Sequence, residues 1–207
     1  MKLGIVSAIY DGFTFEEMID NASANGYECV EVACWPQGKA ERRYAGVSHI
    51  DVDNTSVDYI KYVQDYCAEK KIEISSLAFY PNTMDEDLEK RAANIEHLKK
   101  VINMSAFLGV NMVTTFVGRD QTKTVEENLE IFKEVWPPII KFAEEKGVKV
   151  AIEGVISQDT NGTLYLEEYD EEDGRYYGMQ VYYGYNMVSC SDQICTNGVM
   201  ITKVLYC

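Results

Sequence analysis

The sequence predicts an α/β fold: five parallel βα units in succession, followed by a short β-rich tail. Short runs rich in β-branched residues begin near residues 2, 29, 72, 111 and 148. Long segments of helical period lie between them. After Glu153 both patterns stop. Short strands alternating with long helices mean right-handed βαβ units and a parallel sheet.

Taken in order, residues 2–9 carry Leu3, Ile5, Val6 and Ile9 and read as the first strand. Thr14-Phe-Glu-Glu17 is a capping box, in which the threonine serves an orphan amide and Glu17 reaches back. The helix it opens sets Phe15, Met18, Ile19 and Ala22 on one face and ends at Gly26. Residues 29–34 form the second strand. The loop from Trp35 to about Asn54 is too long for a plain connector and is a candidate for lining a site.

Residues 55–71 repeat the helical pattern through Val57, Ile60, Val63 and Cys67, and residues 72–80 form the third strand. Residues 85–108 are an amphipathic helix with Leu88, Ala92, Ile95, Leu98, Val101 and Ile102 inward, stopping at Gly109. His97 follows Glu96 on this helix and reads as a surface residue. Residues 111–117 make the fourth strand. A second capping box, Thr124-Val-Glu-Glu127, opens a helix running to Lys146, which Pro137-Pro138 should kink or divide. Gly147-Val-Lys-Val-Ala-Ile-Glu153 is the fifth strand, closed by a carboxylate at the end where such folds collect ligands.

Five units suit either an open doubly wound sheet or most of a (β/α)8 barrel, and periodicity does not separate them. The first turn, Ser7-Ala-Ile-Tyr-Asp-Gly12, lacks the Gly-rich dinucleotide fingerprint, which favours the barrel. From Gly154 the last 54 residues hold 8 of the 15 tyrosines and no histidine. Residues 163–169 and 175–183 read as two strands of a hairpin around Asp170-Glu-Glu-Asp-Gly174. Residues 186–190 and 199–206 would add short strands. The chain thus divides into a barrel portion, 1–153, and a Tyr-rich tail, 154–207.

The 207 residues suffice for a full core, and 46% apolar with 26% charged content is ordinary for a globular protein. No run reaches the roughly 18 apolar residues of a membrane span. The N-terminus makes a poor secretory signal. Cys29, Cys34 and Cys67 fall in apolar patterns and read as reduced core thiols, so a cytoplasmic location is expected. A net charge of −15 argues against a nucleic-acid partner.

The order and spacing of four stretches carry a resemblance. They are Trp35-Pro-Gln-Gly-Lys-Ala-Glu-Arg-Arg-Tyr-Ala-Gly-Val-Ser-His49-Ile-Asp-Val, Leu77-Ala-Phe-Tyr-Pro-Asn82, Thr115-Phe-Val-Gly-Arg-Asp120, and Trp136-Pro-Pro with the strand ending at Glu153. On these the first 153 residues resemble the sugar phosphate isomerase/epimerase proteins of the xylose-isomerase-like TIM barrel superfamily. The resemblance implies a partial (β/α)8 TIM barrel acting on a sugar or sugar phosphate. A divalent metal (Mn, Co, Mg or Zn) would grip the substrate while carboxylates move a proton beside a carbonyl. Glu153 matches the first metal ligand of the family, which in the epimerases is also a proton-transfer carboxylate. Trp35, His49, Tyr80 and Arg119 are the candidate substrate contacts, Arg119 as the phosphate or carboxylate partner.

The departure from the family is also specific. The fifth strand runs on as Glu153-Gly154-Val155-Ile156 where members have Asn-Cys-Pro, and no strands six to eight are recognisable. Three more units need roughly 90 residues. The last histidine is His97, so the third ligand is missing, and divalent metal should bind weakly or not at all. Two functions are therefore expected to compete: an impaired isomerase or epimerase, and a non-catalytic remnant or association module. An endonuclease-IV-like repair enzyme, from the same superfamily, is disfavoured by charge and histidine content. The open sheet edges should recruit the tail or a second copy of the chain.

Overall fold

In a computed structural model the described residues are 2–36 and 46–152, with the backbone strands 163–170, 175–182, 188–190 and 193–195. The chain falls into two units, Met1–Ala151 and Ile152–Tyr206.

The first unit carries a five-stranded sheet whose spatial order is its chain order: β1 (Gly4–Val6), β2 (Cys29–Ala33), β3 (Glu73–Ala78), β4 (Met112–Thr115) and β5 (Lys149–Ile152). The strands are parallel, with Ile5 beside Val30, Val32 beside Leu77, and Leu77 beside Val113. Helices α1 (Phe15–Ala24), α2 (Val57–Lys70), α3 (Leu88–Leu108) and α4 (Val125–Glu145) alternate with the strands, and each touches the next. Sequential strands covered by sequential helices form an arc of a TIM barrel, as the sequence predicts. Among the described residues no helix is long and apolar enough to cross a membrane.

Local signals account for the helix ends. Thr14 and Thr124 each accept the amide of the residue three ahead, and Glu17 and Glu127 reach back, so both capping boxes form. Ser56 and Asp87 cap α2 and α3, and α3 ends at Gly109 with φ +71°. The core gathers Met18, Ile19, Val30, Leu77, Phe79, Leu98, Ile102, Val113, Trp136 and Ile139. Cys34 and Cys67 are buried free thiols and Cys29 is half-buried. Burial pushes the Cys67 thiol up to about 11, so it is an inert core group.

Four expectations need correction. The first strand ends at Val6, and Ser7–Ile9 is a turn of 3-10 helix, because the Ser7 hydroxyl accepts the Ala33 amide and draws the chain out of the ladder. Helix α4 is not divided by Pro137 and Pro138. The carbonyls these prolines leave unpaired belong to Lys133 and Glu134, and all four residues are exposed, so water can satisfy them. In α3 the inward stripe begins only at His97 and Leu98; Leu88 is 67% exposed. The first turns instead meet the loop after β3, where Arg91 Nε donates to the Asp85 carbonyl and Asn94 to that of Asn82. Finally, His97 is not a surface residue. It is 8% exposed, with its ring 4.6 Å from that of Phe79 and Nε2 2.8 Å from the Cys34 carbonyl oxygen.

The second unit contains an antiparallel hairpin of β6 (Thr163–Asp170) and β7 (Arg175–Tyr182), with Asp170 opposite Arg175, where the sequence predicts one. A second pair joins β8 (Val188–Cys190) and β9 (Gln193–Cys195); β8 lies within an expected strand and β9 was not foreseen. The strand expected over 199–206 lies outside the described residues.

Candidate functional site

Side chains on a strand alternate between faces, so Val30, Val32, Leu77 and Val113 share one face while Glu31, Ser76 and Thr114 share the other. The first set is fully buried and apolar, as a helix-covered face requires. The second is polar and continuous with Val6, which pairs with Glu31 and is 42% exposed. It is the barrel-facing side.

On that side Glu31 is a hub. Its Oε2 accepts the Ser76 hydroxyl at 3.0 Å and the Thr114 hydroxyl at 2.9 Å, and its Oε1 accepts the Tyr80 phenol at 2.8 Å. Two neighbouring strands thus fix the carboxylate, and the carboxylate fixes a ring just past the end of β3. Among the described residues it has no cationic partner.

Above it lies an aromatic row. Trp35, Tyr80 and Phe116 follow the carboxyl ends of β2, β3 and β4; the Trp35 and Tyr80 centroids are 5.9 Å apart, and those of Tyr80 and Phe116 4.5 Å. Trp35 also meets the buried Phe79 at 5.9 Å. Rings so placed present an apolar wall with one anchored hydroxyl behind it.

The loops around the row are pinned by polar side chains. His49 is buried, with Nδ1 3.0 Å from the Ser7 hydroxyl and Nε2 3.2 Å from the Tyr10 carbonyl. Burial holds its pKa below the ordinary histidine value, as it does that of His97. Each histidine thus ties the loop after β2 to its surroundings. Asn82 joins the loops after β3 and β4: its amide donates to the Arg119 carbonyl at 2.7 Å, and its oxygen accepts the amides of Met84 and Arg119, both at 3.0 Å. Thr83 and Trp136 both donate to the Val117 carbonyl. Asp120 accepts the Thr122 hydroxyl, chiefly because of which its carboxyl sits below the usual range.

Of the sequence-derived candidates, Trp35 and Tyr80 come together in the row. Arg119 follows β4 with its backbone clamped by Asn82 and its side chain exposed; no side-chain partner is recorded for it among the described residues. His49 stands beneath the β2 loop with both ring nitrogens engaged. Glu153 lies outside the described residues. Sequence reasoning passed over Glu31, Ser76, Thr114 and Phe116. The available signal was Glu31 itself, since a carboxylate between two valines is out of place in a strand buried on both faces.

The described residues do not form a metal centre. No three or more His, Cys, Asp or Glu side chains gather among them, and both histidines spend ring nitrogens on protein groups.

The family model for the xylose isomerase-like TIM barrel matches residues 19–171. No curated protein matches the chain. Among solved structures, D-psicose 3-epimerase from Clostridium cellulolyticum, determined with D-tagatose, is 18% identical with a TM-score of 0.56, over 78% of this chain and 56% of that one. The probable 3-DHS dehydratase AsbF of Bacillus anthracis is 16% identical with a TM-score of 0.54, over 74% of this chain and 52% of that one. The IolI protein, with a bound zinc atom, is 20% identical with a TM-score of 0.52, over 74% and 51%. At such identities the likeness carries the fold. The chain spans about half the length of these structures.

Proposed function

The chain belongs to the xylose isomerase-like TIM barrel family, and from that premise we propose that it binds a sugar or sugar phosphate across the carboxyl ends of β2 to β4. The observation that carries this reading is the row Trp35–Tyr80–Phe116, with Arg119 beyond the end of β4. Aromatic faces suit the C–H faces of a sugar ring, and an exposed guanidinium suits a phosphate. In this assignment Glu153 is the carboxylate that moves a proton beside a carbonyl and the first ligand of the family's divalent metal. His49 supports the loop that carries Trp35.

A second reading, binding without turnover, is favoured by one observation. Both of the chain's histidines are engaged by the protein, His49 Nδ1 by the Ser7 hydroxyl and His97 Nε2 by the Cys34 carbonyl. Proton exchange separates the two. The chain is incubated in D2O with D-fructose, D-tagatose or a ketose phosphate, with and without Mn, Co, Mg or Zn, and followed by NMR. Saturable binding that Tyr80→Ala abolishes supports the site. Deuterium entering beside the carbonyl, and lost in Glu153→Gln, assigns the chemistry; binding without exchange selects the second reading. No saturable binding of any of these sugars would refute both.

A further inference from the structure

The most unusual group in the described sheet is the Glu31 carboxylate. It lies between neutral hydroxyls from three residues, with no cation to balance it among the described residues, and its two oxygens are divided in role. Oε2 is held by Ser76 and Thr114 from the two strands that follow β2. Oε1 is left for the Tyr80 phenol. The first pair fixes the carboxylate plane, and the third bond transmits that orientation to the middle ring of the row. A hydrogen bond to an ionised acceptor is the strong kind, suited to holding one ring against solvent competition.

We propose that Glu31 is the positioning residue of the sugar-binding row, fixing Tyr80 between Trp35 and Phe116 so that the three rings form one surface. The proposal rests on the sugar-binding reading above and extends it to a residue one layer beneath the ligand. Glu31 need not touch the sugar. Without it the Tyr80 phenol loses the bond that sets its ring orientation relative to Trp35 and Phe116, and the centre of the wall shifts. Glutamine keeps one acceptor oxygen for Ser76 and Thr114 and places an amide donor by the phenol oxygen, so it should largely preserve ring placement.

The chain has two tryptophans, Trp35 beside the row and Trp136 in the core, so 19F NMR of the fluorotryptophan-labelled full chain gives one reporter of each. Glu31→Ala should move or broaden the Trp35 resonance and leave that of Trp136 in place, with Glu31→Gln close to wild type. D-fructose affinity, read as a shift of the same resonance, should fall about tenfold in Glu31→Ala and in Tyr80→Phe. The double variant should lose little more than either alone, because both break one bond. Tyr80→Phe serves if Glu31→Ala does not fold, since it breaks that bond while leaving the carboxylate to accept the Ser76 and Thr114 hydroxyls. An unmoved Trp35 resonance in the variants, or full additivity in the double variant, overturns the proposal. If D-fructose gives no shift in the wild type but Glu31→Ala still moves Trp35 alone, positioning stands and the sugar reading is what fails.

Discussion

The Ser7 hydroxyl oxygen lies 3.0 Å from Nδ1 of His49 and accepts the Ala33 amide at 2.8 Å. The Tyr10 carbonyl at Nε2 can only accept, so that nitrogen carries the proton and Nδ1 takes the Ser7 hydroxyl hydrogen. Protonating Nδ1 breaks this arrangement. One hydroxyl and one neutral imidazole therefore hold the end of β1, the end of β2 and the β2 loop together.

A pH dependence follows, with a definite sign. His49 and His97 both have folded pKa values held below the ordinary value near 6.5, chiefly by burial. The unfolded chain then binds more protons than the folded one. The stability they contribute is complete above about pH 6.5 and is lost as pH falls from there toward the folded values, at about 1.4 kcal/mol for each pKa unit of depression. Thermal melts between pH 7.5 and 5.5 should show a steady fall in Tm, and NMR titration should place both midpoints below those of a histidine peptide. A level or rising Tm across that window contradicts the arrangement.

Gly118 should tolerate no side chain. Its φ is +77°, and a Cβ there would run into the Asn82 side-chain oxygen and the Thr83 amide. Gly12 has φ +83° with open space around it, so alanine there meets only the left-handed backbone cost, about 1 kcal/mol. Gly118→Ala meets the same cost and must also displace Asn82, which makes three hydrogen bonds across the loop. Urea unfolding should show Gly118→Ala destabilised by about 2 kcal/mol more than Gly12→Ala. Equal losses would mean that the Asn82 staple contributes nothing.

How much of this was legible depends on the range of the interaction. The capping boxes at Thr14 and Thr124 are written within four residues, and both form. Parallel pairing followed from alternation, whereas the sequential strand order also needed the missing Gly-rich turn after β1, which favours the barrel. The end of β1 was not legible, because Ile9 has a strand former's side chain and the hydroxyl that turns the chain answers to Ala33, far along the sequence. His97 was misjudged from its charged neighbours; what buries it is the Cys34 carbonyl and Phe79, on other elements. Trp35 and Tyr80 could be placed at strand ends, but that Glu31 joins Ser76, Thr114 and Tyr80 depends on register. The β2–β3 pairing shifts between Val30 and Glu31, which no periodicity announces.

Arg119 offers a test that separates ligand contact from folding. Its guanidinium is exposed, while the fixed part of the residue is backbone that any side chain retains. Arg119→Met should leave Tm within about a degree of wild type, as exposed substitutions commonly do. It should weaken a ketose phosphate about tenfold while leaving the unphosphorylated ketose unaffected, because a charge-assisted contact to phosphate is the only interaction removed. Equal loss for both ligands would move Arg119 out of the phosphate role. A large drop in Tm would give it a structural one.

The final prediction concerns the edge of the sheet. β1 pairs only with β2 in the described sheet, so its other side offers unpaired backbone groups. The segment around it also exposes large apolar side chains: Leu3 at 61%, Val6 at 42%, Ile9 at 54% and Phe13 at 42%. Fully burying one such side chain is worth about 1.5–3 kcal/mol, and these are already partly covered, so four together would contribute several kcal/mol. An edge so short offers few hydrogen bonds, and the apolar contacts would dominate. The full chain is therefore expected to self-associate through this segment at micromolar concentration, more tightly as salt rises, because a net charge of −15 opposes the approach of two copies. Sedimentation velocity over a hundredfold concentration range measures this. Val6→Lys with Ile9→Lys should give a monomer at every concentration with Tm little changed, since both positions are exposed and a lysine on an edge strand blocks pairing. A wild type that sediments as one monomeric species throughout, or association that survives both lysines, would place the contact elsewhere or nowhere.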